Sequence, residues 1–211
     1  MTLYSHPFSA AYWRTAAGEL RNLRKLTFAA LMIAMCILLG MVPSVRLAQG
    51  VRITWGFLAR SLCGLVCGPA LGAAFGFAED ILSFFLSGGN GYPFFAGYTL
   101  STMIGVVIYA LCLYRTNLSF PRIFLAKLLT NIENVTLGAL WTAILSGSPN
   151  LAAAYQAAAW VSLWKNLLML PIQAILLYAL YAALLPGLRK ANLVPEDTSL
   201  VLWRRKKALS P

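Results

Sequence analysis

Charge is scarce in this sequence. Of its 211 residues only 11% are Asp, Glu, Lys or Arg, while 60% are hydrophobic. A soluble domain carries about 25% charged residues, enough for a polar skin. This chain cannot make one, and it reads as an integral membrane protein. Histidine is nearly absent. The single His6 lies in the N-terminal segment, which removes His-dependent intramembrane proteolysis and most metal-dependent hydrolysis. Cysteine is limited to positions 36, 63, 67 and 112. Cys63 and Cys67 share a helix face, but no histidine or further cysteine lies near them in sequence. They read as small packing residues rather than metal ligands. No metal and no cofactor is expected. The ten-residue alternating segments of a transmembrane barrel are missing. So is the apolar stretch in the first 24 residues that would mark a cleavable signal peptide. No nucleic-acid-binding pattern accompanies the net charge of +11.

Long apolar runs are what the chain has instead. A helix needs about 20 mostly apolar residues to cross a hydrocarbon core of ~30 Å, and shorter spans manage at a cost. Six segments qualify: 25–42, 54–67, 69–86, 95–114, 123–145 and 160–185. "CGP" at 67–69 leaves almost no loop, so the second and third segments read as a tight helical hairpin. The expected fold is all-α, a six-transmembrane-helix bundle over 25–185. A cytoplasmic segment (1–24) precedes it and a cytoplasmic tail (186–211) follows. The positive-inside rule sets the orientation. Arg14, Arg21, Arg24, Lys25, Arg115, Arg122, Arg189, Lys190 and the "RRKK" run at 204–207 fall on one side. Only Arg46 and Arg52 lie in the opposite loops, so both termini are expected in the cytoplasm. Residues 1–24 are compatible with a short amphipathic helix on the inner surface or with disorder. The outer loops are 43–52, the glycine-rich "SGGNGYP" at 87–93, and 146–159, whose alanine-rich second half looks helical.

The charges inside these runs are few and share one depth. Each costs about 2.5–3.5 kcal/mol on insertion scales, so such residues usually face a partner or a cavity. At 1.5 Å rise per residue, Asp80 and Glu133 lie roughly 17 Å above the inner ends of their segments. Arg60 and Lys165 lie about 8–9 Å below the outer ends of theirs. With Glu79 they form one layer from the midplane outward, and Lys127 is close enough to the inner surface to snorkel. Asn131, Asn134, Asn166 and Gln173 join the layer, as do Trp55, Phe57, Phe77, Phe84, Phe95, Tyr98 and Trp141. Two readings stand side by side: ion pairing that fixes helix register, or a polar pocket open to the outside, built as small-molecule sites are. Adjacent helical residues point about 100° apart, so Glu79 and Asp80 cannot share a task. Glu79 continues the small stripe Gly72, Gly76, Ser83, and pairing with Arg60 is expected. Asp80 continues the stripe Ala73, Phe77, Phe84, and is expected to face the ligand. The opposite assignment stays open. Ala30 and Ala34, one turn apart in "AALMIA" (29–34), mark either bundle packing or a smooth face kept for another protein.

Several stretches carry a resemblance: "LTFAALMIA" (26–34), "VRITWGFLARSLCGLVCGP" (51–69), "LGAAFGFAEDIL" (71–82), "FFAGYTLS" (94–101), "ALWTAILSG" (139–147) and "KNLLMLPIQ" (165–173). Over residues 25–185 the chain resembles the substrate-binding S-components of energy-coupling factor transporters, in particular their folate-specific branch. That resemblance implies a multi-pass protein of the prokaryotic plasma membrane that binds a vitamin near the outer face, under a lid formed by the first outer loop. It implies docking through Ala30 and Ala34 on a membrane coupling protein, the T-component, which two cytosolic ATPases drive. The chain itself has no Walker-type phosphate loop and is expected not to be an enzyme. The expected folate-binding set is Arg52, Trp55, Asp80, Phe95, Tyr98, Asn134, Trp141 and Lys165. Aromatics would sandwich the rings, and Arg52 and Lys165 would meet the tail carboxylates. Arg60 and Glu79 depart from the family's usual pattern and are expected to form a structural ion pair. The alternatives are an S-component for thiamine or riboflavin, a scaffold, or a small membrane enzyme acting on lipid with Glu79 and Asp80 as acid and base.

Overall fold

The computed structural model describes residues 9–41, 45–48, 51–53, 55–87 and 94–202, with backbone alone for 45–48, 51–53 and 87. His6, the "RRKK" run and the glycine-rich loop after Ser87 lie outside the described residues. Helices dominate: α1 (Ala10–Gly18), α2 (Leu23–Met41), α3 (Gly56–Ser87), α4 (Ala96–Leu113), α5 (Phe120–Glu133), α6 (Ala139–Leu145) and α7 (Leu151–Lys190). Five stretches among the described residues are long and apolar enough to cross a membrane. One of them, α3, turns back on itself.

That reversal sits at Gly68, whose φ of 76° is non-helical. A left-handed residue of this kind favours glycine. A side chain here would also press on the Tyr114 ring, 3.0 Å from its Cζ. Pro69 follows as the first residue of the returning limb, where its fixed φ suits a helix start and its missing N–H costs nothing. The result is the helical hairpin expected from "CGP". Its proof is a contact: Arg60 and Glu79, 19 residues apart, are hydrogen-bonded, whereas a straight helix would hold them about 28 Å apart. α3 packs most extensively on α4 and α2. Its buried side chains, among them Leu62, Cys63, Val66, Cys67, Leu71 and Phe75, form the centre of the core with Val106, Tyr109, Leu113, Leu177 and Tyr181. The cysteines are free and serve as packing. The apolar surface faces outward on the peripheral helices: Leu31, Met35 and Leu38 of α2 and Leu167, Leu168, Ile172 and Ile175 of α7 are all exposed. This is the pattern of a bundle whose solvent is lipid.

The two ends of the bundle differ. At one end, called here the terminal end, α1 is docked rather than disordered. Tyr12 and Ala16 are buried, and the Tyr12 ring meets Tyr114 edge-on at 5.6 Å. Glu19 lies beneath it and accepts from Lys25 Nζ at 2.6 Å, the Tyr114 hydroxyl at 2.7 Å and Arg115 Nη2 at 2.8 Å. Burial alone would raise the Glu19 pKa. The hydrogen bonds from Lys25, Tyr114 and Arg115 and the Lys25 charge outweigh it and hold the carboxyl below its ordinary range. The segment after α7 is fastened at the same end. A short strand β3 (Leu118–Ser119) pairs in parallel with β4 (Leu200–Val201), in chain order the third and fourth strands. Arg189 donates to the Thr198 carbonyl.

At the other end, strands β1 (Val45–Ala48) and β2 (Val51–Ile53) form an antiparallel hairpin where a plain loop was expected. We call this the hairpin end. Here residues 151–159, read from the sequence as part of a loop, belong to α7. The Asn150 side chain caps that helix by accepting from Ala153 N at 3.1 Å. α7 is 40 residues long, about 60 Å at helical rise.

Candidate functional site

The fifth apolar run is not one uniform helix. Between α5 and α6 lies a π-helical turn, Asn134–Gly138. Such turns insert a residue into the helical ladder and recur at functional sites. Here the turn carries Asn134 toward α7. Asn134 Oδ1 accepts from Asn166 Nδ2 at 3.1 Å and from the Ser162 hydroxyl at 3.4 Å. Asn166 Nδ2 also reaches the Ser162 carbonyl and hydroxyl, and Asn131 Nδ2 donates to the Asn166 carbonyl at 3.2 Å. Lys165, the residue before Asn166, is half-buried and makes no ion pair with any described residue.

An aromatic group stands on α4 and α6. Phe95, at the N-cap of α4, meets Tyr98 edge-on at 6.0 Å and Trp141 at 5.6 Å. Gly97 lets these rings close over the helix: a Cβ there would lie 2.3 Å from the Phe95 ring and 2.8 Å from Trp141. Trp141 Nε1 donates to Ser101 Oγ at 3.0 Å, and the Tyr98 hydroxyl lies 3.5 Å from that of Thr142. Ser101 also lies beside the Glu133 carboxylate, one oxygen of which is buried without a hydrogen-bond partner.

The remaining charges divide. Arg60 and Glu79 form a two-point ion pair, Nε to Oε2 at 3.1 Å and Nη2 to Oε1 at 3.0 Å. Asp80 points elsewhere: it accepts from Thr99 Oγ1 at 2.7 Å and Thr102 Oγ1 at 3.3 Å, in the seam between α3 and α4. Thr99 and Thr102 are three apart and share a face of α4, while Tyr98 and Ser101 share the next face round. Asp80 therefore stands one layer behind the aromatic group. Phe77, expected beside Asp80 in one ligand-facing stripe, is exposed. Lys127 corrects another expectation. It does not snorkel but is buried, with its ammonium 5.0 Å from the Phe57 ring centroid. Arg60, Glu133 and Lys165 are near enough to act on its charge. The aromatic face and the Glu133 carboxylate stand in for water around it, against the like charges of Arg60 and Lys165.

Trp55 lies half-buried at the start of α3, where its carbonyl accepts from Leu58 N. The backbone of Arg52 is in β2, opposite Arg46; its side chain lies outside the described residues. Ala30 and Ala34 are exposed on α2, while Ala29, Met32 and Cys36 face the core. Sequence reasoning missed Ser101, Thr99, Thr102 and Ser162. A serine or threonine inside an apolar run, three residues from another or one turn from an asparagine, is the signal that would have found them. A shallow apolar groove of about 430 Å³ also opens between the π-helical turn and α7, lined by Val135, Tyr155, Gln156, Ala159, Trp160 and Leu163. None of the charged residues lines it.

A membrane bundle with a polar, aromatic-walled layer suits capture of a solute. The family comparison agrees. The model of the family described as "ECF transporter, substrate-specific component" matches residues 24–181, and the chain belongs to that family. It is the substrate-binding, multi-pass membrane component of a transporter, not an enzyme. Over 129 residues it is 33% identical to the folate transporter FolT of Clostridium novyi (strain NT), an alignment covering 61% of this chain and 71% of that one. A crystal structure of FolT bound with folic acid superposes with a TM-score of 0.64 and 28% identity, over 75% of this chain and 92% of the other.

Proposed function

We propose that this chain captures folate from outside the cell and delivers it to an energy-coupling module. The carrying observation is Lys165: a half-buried cation with no acid partner among the described residues, beside the Asn134–Ser162–Asn166 cluster. It is suited to an anionic group brought by a ligand. Phe95, Tyr98 and Trp141 offer aromatic surface for flat rings. The Asn134 and Asn166 amides offer donors and acceptors. Trp55 and Arg52 would close over the ligand with the β1–β2 hairpin. Asp80 acts from behind, fixing α4 beneath Tyr98 through Thr99 and Thr102.

The same reading places the terminal end in the cytoplasm, with residues 1–24 and 186–211 on that side of the membrane domain. The basic residues gathered there support it. The exposed small residues Ala30 and Ala34 allow close helix approach and would dock on a membrane coupling protein driven by two cytosolic ATPases. The test is a vitamin panel on the purified protein in detergent, read by thermal shift and titration calorimetry. Folic acid is expected to bind and to stabilise the fold by mass action, about 4 kcal/mol at a thousandfold excess over Kd. Thiamine or riboflavin binding without folic acid binding would overturn the folate assignment.

A further inference from the structure

We propose that Arg60 reads the ligand directly, with Glu79 as the residue that positions it. The inference rests on the reading of the polar layer as a folate site. A guanidinium has five N–H donors in a fixed plane. Glu79 takes one from Nε and one from Nη2. The other three, two on Nη1 and the second on Nη2, meet no described residue. The exposure of the pair is lopsided: the Arg60 side chain is 36% exposed and that of Glu79 is 3%. Phe57, Ala59, Ser61, Leu62 and Cys63 around Arg60 are all buried, so the guanidinium is the exposed feature of this stretch. A pair serving only to fix helix packing gains nothing from an exposed edge with three donors to spare.

Charge selects what that edge takes. Glu79 already neutralises Arg60, so the pair suits neutral acceptors, while Lys165 is the cation left for a carboxylate tail. Two parallel N–H groups on the end of a guanidinium match a carbonyl oxygen and a ring nitrogen set side by side, as arginine matches O6 and N7 of guanine. The oxo group and neighbouring ring nitrogen of a pterin present the same acceptor pair. Arg60 therefore holds the oxo edge of the ring, and it discriminates against a ring whose oxo group is replaced by an amino group, which would set donor against donor.

The experiment measures folic acid and its 4-amino analogue on the purified full-length chain and on Arg60→Lys. Lysine keeps the charge and a partner for Glu79 but lacks the fork. The wild type is expected to favour folic acid about tenfold or more, the scale of one bidentate contact. Arg60→Lys is expected to lose about tenfold in folic acid affinity and most of that preference, with its unfolding temperature little changed. Wild-type affinities and selectivity in Arg60→Lys would overturn the proposal while leaving the folate reading intact. Should the variant not fold, the wild-type ratio decides: equal affinities for the two ligands overturn the proposal, and a tenfold preference for the oxo form supports it. A wild type that binds no folic acid overturns both.

Discussion

The terminal end and the hairpin end of the bundle treat charge in opposite ways. At the terminal end Glu19 holds Lys25, Tyr114 and Arg115 at 2.6–2.8 Å, and all are well buried. Toward the hairpin end Lys165 has no acid partner among the described residues, a Glu133 oxygen is unpartnered, and Arg60 keeps an open edge. Both arrangements place ionic groups among packed side chains. At one end the Glu19 carboxylate is fully held by its neighbours, although Arg115 Nε, Arg189 Nε and Thr198 Oγ1 there are buried without a partner. The other is left incomplete, which is what a site needs if an incoming solute is to supply the missing contacts.

The sharpest way to break this contrast is to open the closed end. Glu19→Ala should destabilise the purified protein by about 3–5 kcal/mol, because two cations lose their shared counter-charge. Ligand affinity of the folded fraction should not change. Unfolding in detergent together with calorimetric titration separates the two effects. The converse at the open end is Lys165→Met. It should leave the unfolding temperature of the ligand-free protein unchanged or raised, and weaken folic acid binding by roughly 10–100-fold, the worth of a hydrogen bond to a charged group. Equal losses of stability and affinity in both variants would erase the distinction. Gly97→Ala tests the aromatic group. Its Cβ must push Phe95 and Trp141 apart, an overpacking worth about 1–3 kcal/mol, and quenching of Trp141 fluorescence by ligand should diminish with affinity. The smallest effect is on acidification. The Glu19 carboxyl is held below its ordinary value of 4.5. Its stabilisation is therefore complete above that pH and is lost as pH falls through the lower folded value. Thermal unfolding below pH 4.5 should drop less steeply in Glu19→Gln than in wild type.

Much of this was legible in the residues. Apolar run lengths gave the helices, and "CGP" gave the reversal at Gly68. The insertion cost of charge put Arg60, Glu79, Asp80, Glu133 and Lys165 in one layer. What the pattern could not carry is non-local. Glu79 and Asp80 are 100° apart, but which of them meets a cation depends on the order of helices around the bundle. The π-helical turn at Asn134–Gly138 leaves no trace in the hydrophobic period, because one inserted residue is hidden among apolar neighbours. Lys127 has a stem long enough to reach water or the core, and only the placement of the Phe57 ring decides between them. The docking of α1 needed Tyr114 and Arg115, nearly a hundred residues away, to be brought beside Glu19.

One rod of 40 residues, α7, joins the two ends. Ser162 and Lys165 lie about a third of the way along it, and Arg189 is clasped to the Thr198 carbonyl at its far end. Pro171 and Pro186, between them, each lack the N–H for one rung of the ladder. One continuous helix thus ties the candidate site to the fastened tail, and the two can be displaced independently only if that helix bends between them.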